Sequence, residues 1–189
     1  MMASSVRQHG TAHNCRNGMR HLPNILSILR LVLTIPLVLA IAHDERAVAL
    51  AIGIAALASD ALDGMIARRY SVESELGRLL DPLADKVLAA SVALALLVRQ
   101  MIPLWYVAAV IGRDLLIVAG GFVLRRRIGV IAPSLPIGKA AATSIGVVLL
   151  AAIAGVSGAL LAGLALASSV LLLWSLVVYA ARLRRALRP

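Results

Sequence analysis

The chain has 189 residues, of which 61% are hydrophobic, and it carries a formal net charge of +10 at neutral pH. Its mean hydropathy of +0.93 is far above that of a soluble domain and predicts a polytopic membrane protein. The apolar runs are continuous rather than alternating, which argues against a transmembrane β-barrel. Membrane topology and lipid headgroups account for the basic charge, so no nucleic-acid partner is expected. The single cysteine, Cys15, excludes a disulfide framework.

Six apolar stretches are each long enough to span the ~30 Å hydrocarbon core of a bilayer as a helix. They lie at about residues 24–43, 46–67, 79–99, 102–124, 136–156 and 160–181. Short connections join them, so the sequence predicts an all-α integral membrane protein, a bundle of six transmembrane helices. We expect residues 1–22 to form a polar, basic N-terminal tail and residues 23–189 to form the six-helix domain. The tail has no acidic residue, a composition that a transit peptide would share.

The arginines predict the orientation of this bundle. They precede the first span, follow the sixth, and lie between the second and third spans and between the fourth and fifth. The opposite side has only Arg46 and Arg99. Because basic loops stay on the cytoplasmic side, both termini are expected in the cytoplasm. The expected location is the bacterial inner membrane.

Aspartates are concentrated where the second span ends and the third begins. Asp60 and Asp63 are three residues apart, and Asp81 and Asp85 are four apart, so each pair shares a helix face. A short turn joins the two helices, which therefore bring the carboxylates together at the cytoplasmic end. Ionisable groups inside a membrane are costly and mark functional sites. Four carboxylates would repel one another unless cations such as Mg²⁺ or Mn²⁺, which take oxygen ligands, neutralise them.

The neighbours of these aspartates suit a phosphate-bearing ligand. Gly64 and Gly77 allow close approach to the backbone, Ala67 is small, and Arg68 offers a planar guanidinium to a phosphate. Intramembrane carboxylates also occur in ion-coupled transporters, which would place them near the bilayer midplane within an inverted repeat. Here they lie at one cytoplasmic edge beside glycines and an arginine, which favours an enzyme.

Residues 60–85 match the pattern D-x-x-D-G-x-x-A-R-x8-G-x-x-x-D-x-x-x-D at every fixed position. This run resembles the signature of the CDP-alcohol phosphatidyltransferases, and the six-span topology is similar to that family's core. The resemblance implies transfer of a phosphatidyl group from CDP-diacylglycerol to an alcohol, with release of CMP. It also implies a homodimer.

The resemblance assigns roles to the residues of the motif. It implies a site for two divalent ions, with Asp60, Asp63 and Asp81 as ligands. Asp85 is implied as the catalytic base and as a further metal ligand. The residues implied in CDP-diacylglycerol binding are Asp60, Gly64, Ala67, Arg68 and Gly77.

Three cations outside the motif bear on the choice of alcohol: Arg30, Arg113 and Lys139. A lone cation inside a membrane is costly, so these residues either bind a phosphate on the acceptor or balance the aspartates. Asp114 is adjacent to Arg113, but successive helical residues point to different faces and need not pair. The first alternative favours a phosphate-bearing acceptor over choline, ethanolamine or serine.

A second resemblance concerns the acceptor. Residues 22–38 resemble the opening helix of the glycerol-acceptor branch of the family, and residues 111–118 and 133–143 are similar to eukaryotic-type cardiolipin synthases. This favours phosphatidylglycerol as the acceptor and cardiolipin as the product. Glycerol-3-phosphate, giving phosphatidylglycerophosphate, is the alternative. The synthases of that product more often carry Arg-Glu where this chain has Arg113–Asp114, but the loop between the two segments is shorter here than in the eukaryotic enzymes.

Overall fold

The computed structural model describes residues 22–70, 75–128 and 135–187, with side chains at 28–59, 83–124, 126 and 135–186. The described residues form six α-helices, one for each predicted apolar stretch. They are α1 Leu22–Ala42, α2 Arg46–Tyr70, α3 Glu75–Val98, α4 Leu104–Ile128, α5 Pro136–Ile153 and α6 Gly158–Leu187. Helix α2 ends after its predicted span and α3 begins before its own, because arginine, leucine and glutamate favour helix outside the apolar segment.

Left-handed backbone conformations follow three of the described helices, and Gln100 after α3, with a φ of 56°, is one of them. Asp44 follows α1 with a φ of 62°, and Gly155 follows α5 with a φ of 86°. The N–H of Gly155 donates to the carbonyl of Ala152, and the N–H of Val156 donates to that of Ala151, both at 3.0 Å. This pair of bonds is a Schellman motif, which satisfies carbonyls left open at the helix end.

The three short connections α1–α2, α3–α4 and α5–α6 meet at one end of the bundle. Asp44 Oδ1 accepts from Arg46 Nε at 3.2 Å and lies 3.5 Å from Arg99 Nη2. The Arg46 guanidinium also lies against Gly155, where a Cβ atom would be only 2.8 Å from Nη1. We call this the Asp44 end. The end of α2 and the starts of α3 and α5 belong to the opposite end.

Packing among the described residues is centred on α1, α3 and α6. Helix α1 packs against α2 and α3, α3 also packs against α4 and α5, and α6 packs against α4 and α5. Helix α2 contacts α5 as well. Small and branched residues fill the core, including Leu37, Ala93, Leu96, Val110 and Ala141. The contact between α2 and α3 that the sequence predicts beside the motif involves side chains outside the described set.

A chain of hydroxyl groups links three of the helices inside this core. Tyr106 of α4 is fully buried, and its hydroxyl lies 2.9 Å from Ser168 Oγ of α6. Ser168 in turn lies 2.9 Å from Ser144 Oγ of α5. Buried hydroxyls need such partners, because an unpaired polar group in an apolar interior is costly.

The outer surface of the bundle is apolar. Large side chains such as Leu115, Leu173 and Trp174 are more than 60% exposed, at 65%, 64% and 62%. Within the described residues, three helical segments are long and apolar enough to cross a membrane, and two apolar segments are shorter. The long segments are Leu104–Leu124, Pro136–Ile153 and Gly158–Ala186, and the shorter ones are Ile28–Ala42 and Arg46–Ser59. An apolar exterior on long helices is typical of a membrane protein.

Candidate active site

The aspartates of the motif lie on α2 and α3. Asp60 and Asp63 belong to α2, and Asp81 and Asp85 to α3, so the helical spacing that puts each pair on one face is present. Among these four, only the Asp85 side chain belongs to the described set. The convergence of all four carboxylates therefore stays a prediction. The same holds for the donor-pocket residues, whose side chains also lie outside the described set: Gly64, Ala67, Arg68 and Gly77.

Asp85 is held by a buried arginine from another helix. Its Oδ1 accepts from Nη1 of Arg30, on α1, in an ion pair. The Arg30 side chain is 5% exposed and that of Asp85 is 44% exposed, so the pair has one buried partner and one partner open to its surroundings. Arg30, one of the predicted acceptor ligands, thus contacts an aspartate of the motif.

A second charge cluster joins α3, α4 and α6. Asp114 Oδ1 accepts from Arg113 Nη1 at 2.6 Å and lies 3.0 Å from Lys86 Nζ. Arg113 Nη2 donates to Ser175 Oγ at 2.8 Å. Helical spacing did not require Arg113 and Asp114 to pair, yet they do, because the long guanidinium side chain reaches the adjacent carboxylate.

Arg113 is the most enclosed cation of this cluster. Its side chain is 8% exposed, against 25% for Lys86. Its Nε atom is buried and has no hydrogen-bond partner among the described residues. A buried N–H without a partner is costly, so an atom of this kind is a candidate donor to a ligand.

Lys139 is exposed in the first turn of α5. The start of this helix is held by Tyr179 of α6, whose hydroxyl accepts from the N–H of Leu135 at 3.1 Å. Gly138 leaves room for that ring, because a Cβ atom there would lie 2.8 Å from Tyr179 Oη. The structure gives no contact between Lys139 and Arg113, so their joint action on one phosphate stays a prediction.

Sequence reasoning missed three residues of this region: Lys86, Ser175 and Tyr179. A signal was present for Lys86, which is a charged residue directly after Asp85 in an apolar helix and therefore needs a partner. Ser175 and Tyr179 carry no comparable signal, because hydroxyls are common on membrane helices. Only the packing of α6 against α4 and α5 brings them to this region.

The donor chemistry of the motif fits hard divalent cations. Four carboxylates supply only oxygen ligands, as Mg²⁺ and Mn²⁺ prefer. The Asp85 side chain is paired with Arg30 and is 44% exposed. Within the described residues no group of three or more histidine, cysteine or acidic side chains forms a metal site. A metal centre at the motif is therefore a proposal that rests on the donor set.

The family model of the CDP-alcohol phosphatidyltransferases matches residues 20–184, so the chain belongs to this family. This confirms the family that the motif predicts. A probable cardiolipin synthase (CMP-forming) from Drosophila melanogaster is 35% identical over 111 residues, covering 58% of this chain and 34% of the relative. A cardiolipin synthase (CMP-forming) from Streptomyces coelicolor is 38% identical over 112 residues, covering 56% and 52%.

A third relative is named for the other glycerol-type product. A probable phosphatidylglycerophosphate synthase from Mycobacterium tuberculosis is 36% identical over 101 residues, covering 50% of this chain and 48% of the relative. The chain spans about a third of the length of the fly relative and about half that of the two bacterial ones. Relatives of both kinds therefore match at similar identity.

Proposed function

We propose that this protein transfers a phosphatidyl group from CDP-diacylglycerol to a glycerol-type acceptor and releases CMP. The preferred acceptor is phosphatidylglycerol, which makes the product cardiolipin. The alternative acceptor is glycerol-3-phosphate, and the mycobacterial relative supports keeping it open. The observation that carries the proposal is the complete family motif on α2 and α3, in a chain that the family model covers from residue 20 to 184.

Asp85 is proposed as the general base of this reaction. The acceptor hydroxyl attacks the phosphorus that carries the diacylglycerol, the bond from that phosphorus to the CMP oxygen breaks, and the hydroxyl proton passes to the Asp85 carboxylate. The ion pair with Arg30 supports this role, because it sets the direction of a carboxylate that remains 44% exposed. Arg30 then contributes to the site in two ways: it orients Asp85, and it adds a positive charge.

Asp60, Asp63 and Asp81, together with Asp85, are proposed to hold two divalent ions. When bound, the ions would neutralise the pyrophosphate and the charge that develops on the departing CMP. Gly64, Ala67, Arg68 and Gly77 are proposed to bind the cytidine and diphosphate of the donor. Arg68 suits a phosphate, since its guanidinium can donate two parallel hydrogen bonds.

Arg113 and Lys139 are proposed to bind the phosphate of the acceptor. The buried Nε of Arg113 supports this, because it is a donor that the described residues leave open. Phosphatidylglycerol and glycerol-3-phosphate both carry a phosphate beside a glycerol hydroxyl. One arginine can therefore orient either acceptor for attack.

We further propose that all six helices cross the membrane, with both termini and the active site on the cytoplasmic side of a bacterial inner membrane. The arginine distribution supports this orientation. Residues 1–22 would be a tail and residues 23–189 the catalytic domain. A homodimer is proposed as well: Ala159 and Gly163 are exposed small residues on one face of α6, where helices can approach closely.

An acceptor panel tests the proposed reaction. Purified protein in liposomes with CDP-diacylglycerol and Mg²⁺ or Mn²⁺ is offered phosphatidylglycerol, glycerol-3-phosphate, inositol phosphate, serine or choline in turn. We expect CMP release with phosphatidylglycerol above all. Release with glycerol-3-phosphate alone would select the alternative product, and release only with serine or choline would refute the glycerol-type acceptor.

A further inference from the structure

Residues 85 and 86 tie α3 to two different helices. Asp85 pairs with Arg30 of α1, and Lys86 lies 3.0 Å from Asp114 of α4. Successive helical residues point about 100° apart, so these two ion pairs hold α3 on two different sides of the helix. This fixes the rotation of α3 about its own axis at the level of the proposed base.

Asp114 links the ion pair on α3 to Arg113. A single oxygen, Asp114 Oδ1, lies within 3.0 Å of both Arg113 Nη1 and Lys86 Nζ. On its other side the guanidinium is held by Ser175 Oγ at 2.8 Å. A guanidinium has five N–H donors, and its Nε remains without a partner among the described residues. Arg113 is therefore held at both terminal nitrogens and still has donors left for a ligand.

We propose that Asp114 is a positioning residue for the acceptor, a role that rests on the function proposed above. Its carboxylate fixes the position of the Arg113 guanidinium relative to α3, the helix that carries Asp85. A phosphate bound to Arg113 is thereby placed at a fixed offset from the base that receives the hydroxyl proton. The ligand is a phosphate-bearing glycerol, whether a lipid phosphodiester or a free phosphomonoester.

The physical reason is preorganisation. Arginine has a long, flexible side chain, and a flexible cation loses rotamer freedom when it binds a phosphate. Partners that hold the side chain beforehand remove that loss. At metal sites, removing the partner that orients a ligand typically costs about 10- to 100-fold in metal affinity or activity, and we expect an effect of the same order where Asp114 orients Arg113.

The test compares Asp114→Asn with Asp44→Asn. Asp44 is a matched control, because its Oδ1 also lies near two cations, Arg46 and Arg99, but at the Asp44 end and outside the proposed site. CMP release is measured at varied acceptor and at varied CDP-diacylglycerol, with phosphatidylglycerol in one arm and glycerol-3-phosphate in the other. The acceptor whose KM responds identifies the phosphate that Arg113 receives.

We expect Asp114→Asn to raise the acceptor KM about 10- to 100-fold, while the donor KM and the control variant stay near wild type. Asp114→Glu keeps the carboxylate and should recover part of the loss. In an Arg113→Gln background, Asp114→Asn should add little, because residues that act through one another are not additive. A purely structural role would instead lower protein yield and raise both KM values together.

Ser175→Ala keeps every charge and tests the same idea if Asp114→Asn fails to fold. It should raise the acceptor KM by a smaller factor. If Arg113→Gln raises the acceptor KM but the Asp114 and Ser175 variants leave it unchanged, the positioning role is refuted and the proposed function stands. If Arg113→Gln itself leaves it unchanged, Arg113 does not bind the acceptor phosphate and the positioning role fails; the proposed acceptor site is refuted as a whole when Lys139→Gln leaves it unchanged as well.

Discussion

Neutralising Arg113 is the most direct test of the acceptor site. In wild type its guanidinium is 8% exposed and is held by Asp114 at 2.6 Å and Ser175 at 2.8 Å. Arg113→Gln removes the charge and the donors that remain for a ligand. If the acceptor phosphate binds there, the acceptor KM should rise while the KM for CDP-diacylglycerol stays nearly unchanged.

The size of the effect follows from the burial of this side chain. A hydrogen bond to a charged group contributes about 1.5–3 kcal/mol, which corresponds to roughly 10- to 150-fold in apparent affinity. The upper part of this range is expected, because a buried guanidinium acts in a medium of low dielectric constant. Turnover should fall too, since the phosphate positions the attacking hydroxyl. Arg113→Lys should recover activity only in part, because a point charge does not reproduce the guanidinium geometry.

The assay is CMP release in liposomes with each substrate varied in turn. Arg126→Gln serves as a control on the same helix: Arg126 is exposed and stacks over the Phe122 ring at 4.4 Å, outside the charge cluster. Lys139→Gln is measured in parallel. An unchanged acceptor KM in both Arg113→Gln and Lys139→Gln would refute the phosphate-binding role. A rise in the donor KM or in the metal requirement would instead show that these cations balance the aspartates.

The remaining predictions concern the motif and the start of α5. Chelation with EDTA should abolish turnover, and Asp63→Asn or Asp81→Asn should do the same, because each removes a ligand charge; full activity in EDTA contradicts the metal site. Asp85→Asn should lower the rate by ~10²–10⁴-fold while CDP-diacylglycerol binding persists, and loss of nucleotide and metal binding would make it chiefly a ligand. Gly138→Ala should lower thermal stability, because its Cβ would lie 2.8 Å from Tyr179 Oη and 3.1 Å from Cε2. The cost of such crowding, about 1–3 kcal/mol, exceeds the gain of up to ~1 kcal/mol in helix propensity, and Tyr179→Phe should relieve part of it; a melting temperature at or above wild type would refute this.

The helices of this protein and the motif that identifies its family are predictable from the sequence alone. Runs of about 20 apolar residues can satisfy their backbone groups in lipid only as helices, so the six elements follow from hydropathy. Helical spacing likewise assigns Asp60 with Asp63, and Asp81 with Asp85, to common faces. The motif that identifies the family is local in the chain, and fixed spacing on two consecutive helices is enough to recognise it.

The partners of the charged side chains were decided only by the tertiary structure. Arg30 and Asp85 lie far apart in the chain and meet because α1 packs against α3. The same holds for Arg113 and Ser175, which meet because α4 packs against α6. Sequence periodicity tells which face a residue occupies but not which helix covers that face, and long flexible side chains can reach beyond their own face. Packing therefore decides the partner of each buried cation. Such a cation can pair with an aspartate, share an aspartate with another cation, or keep an N–H group that a ligand can accept from.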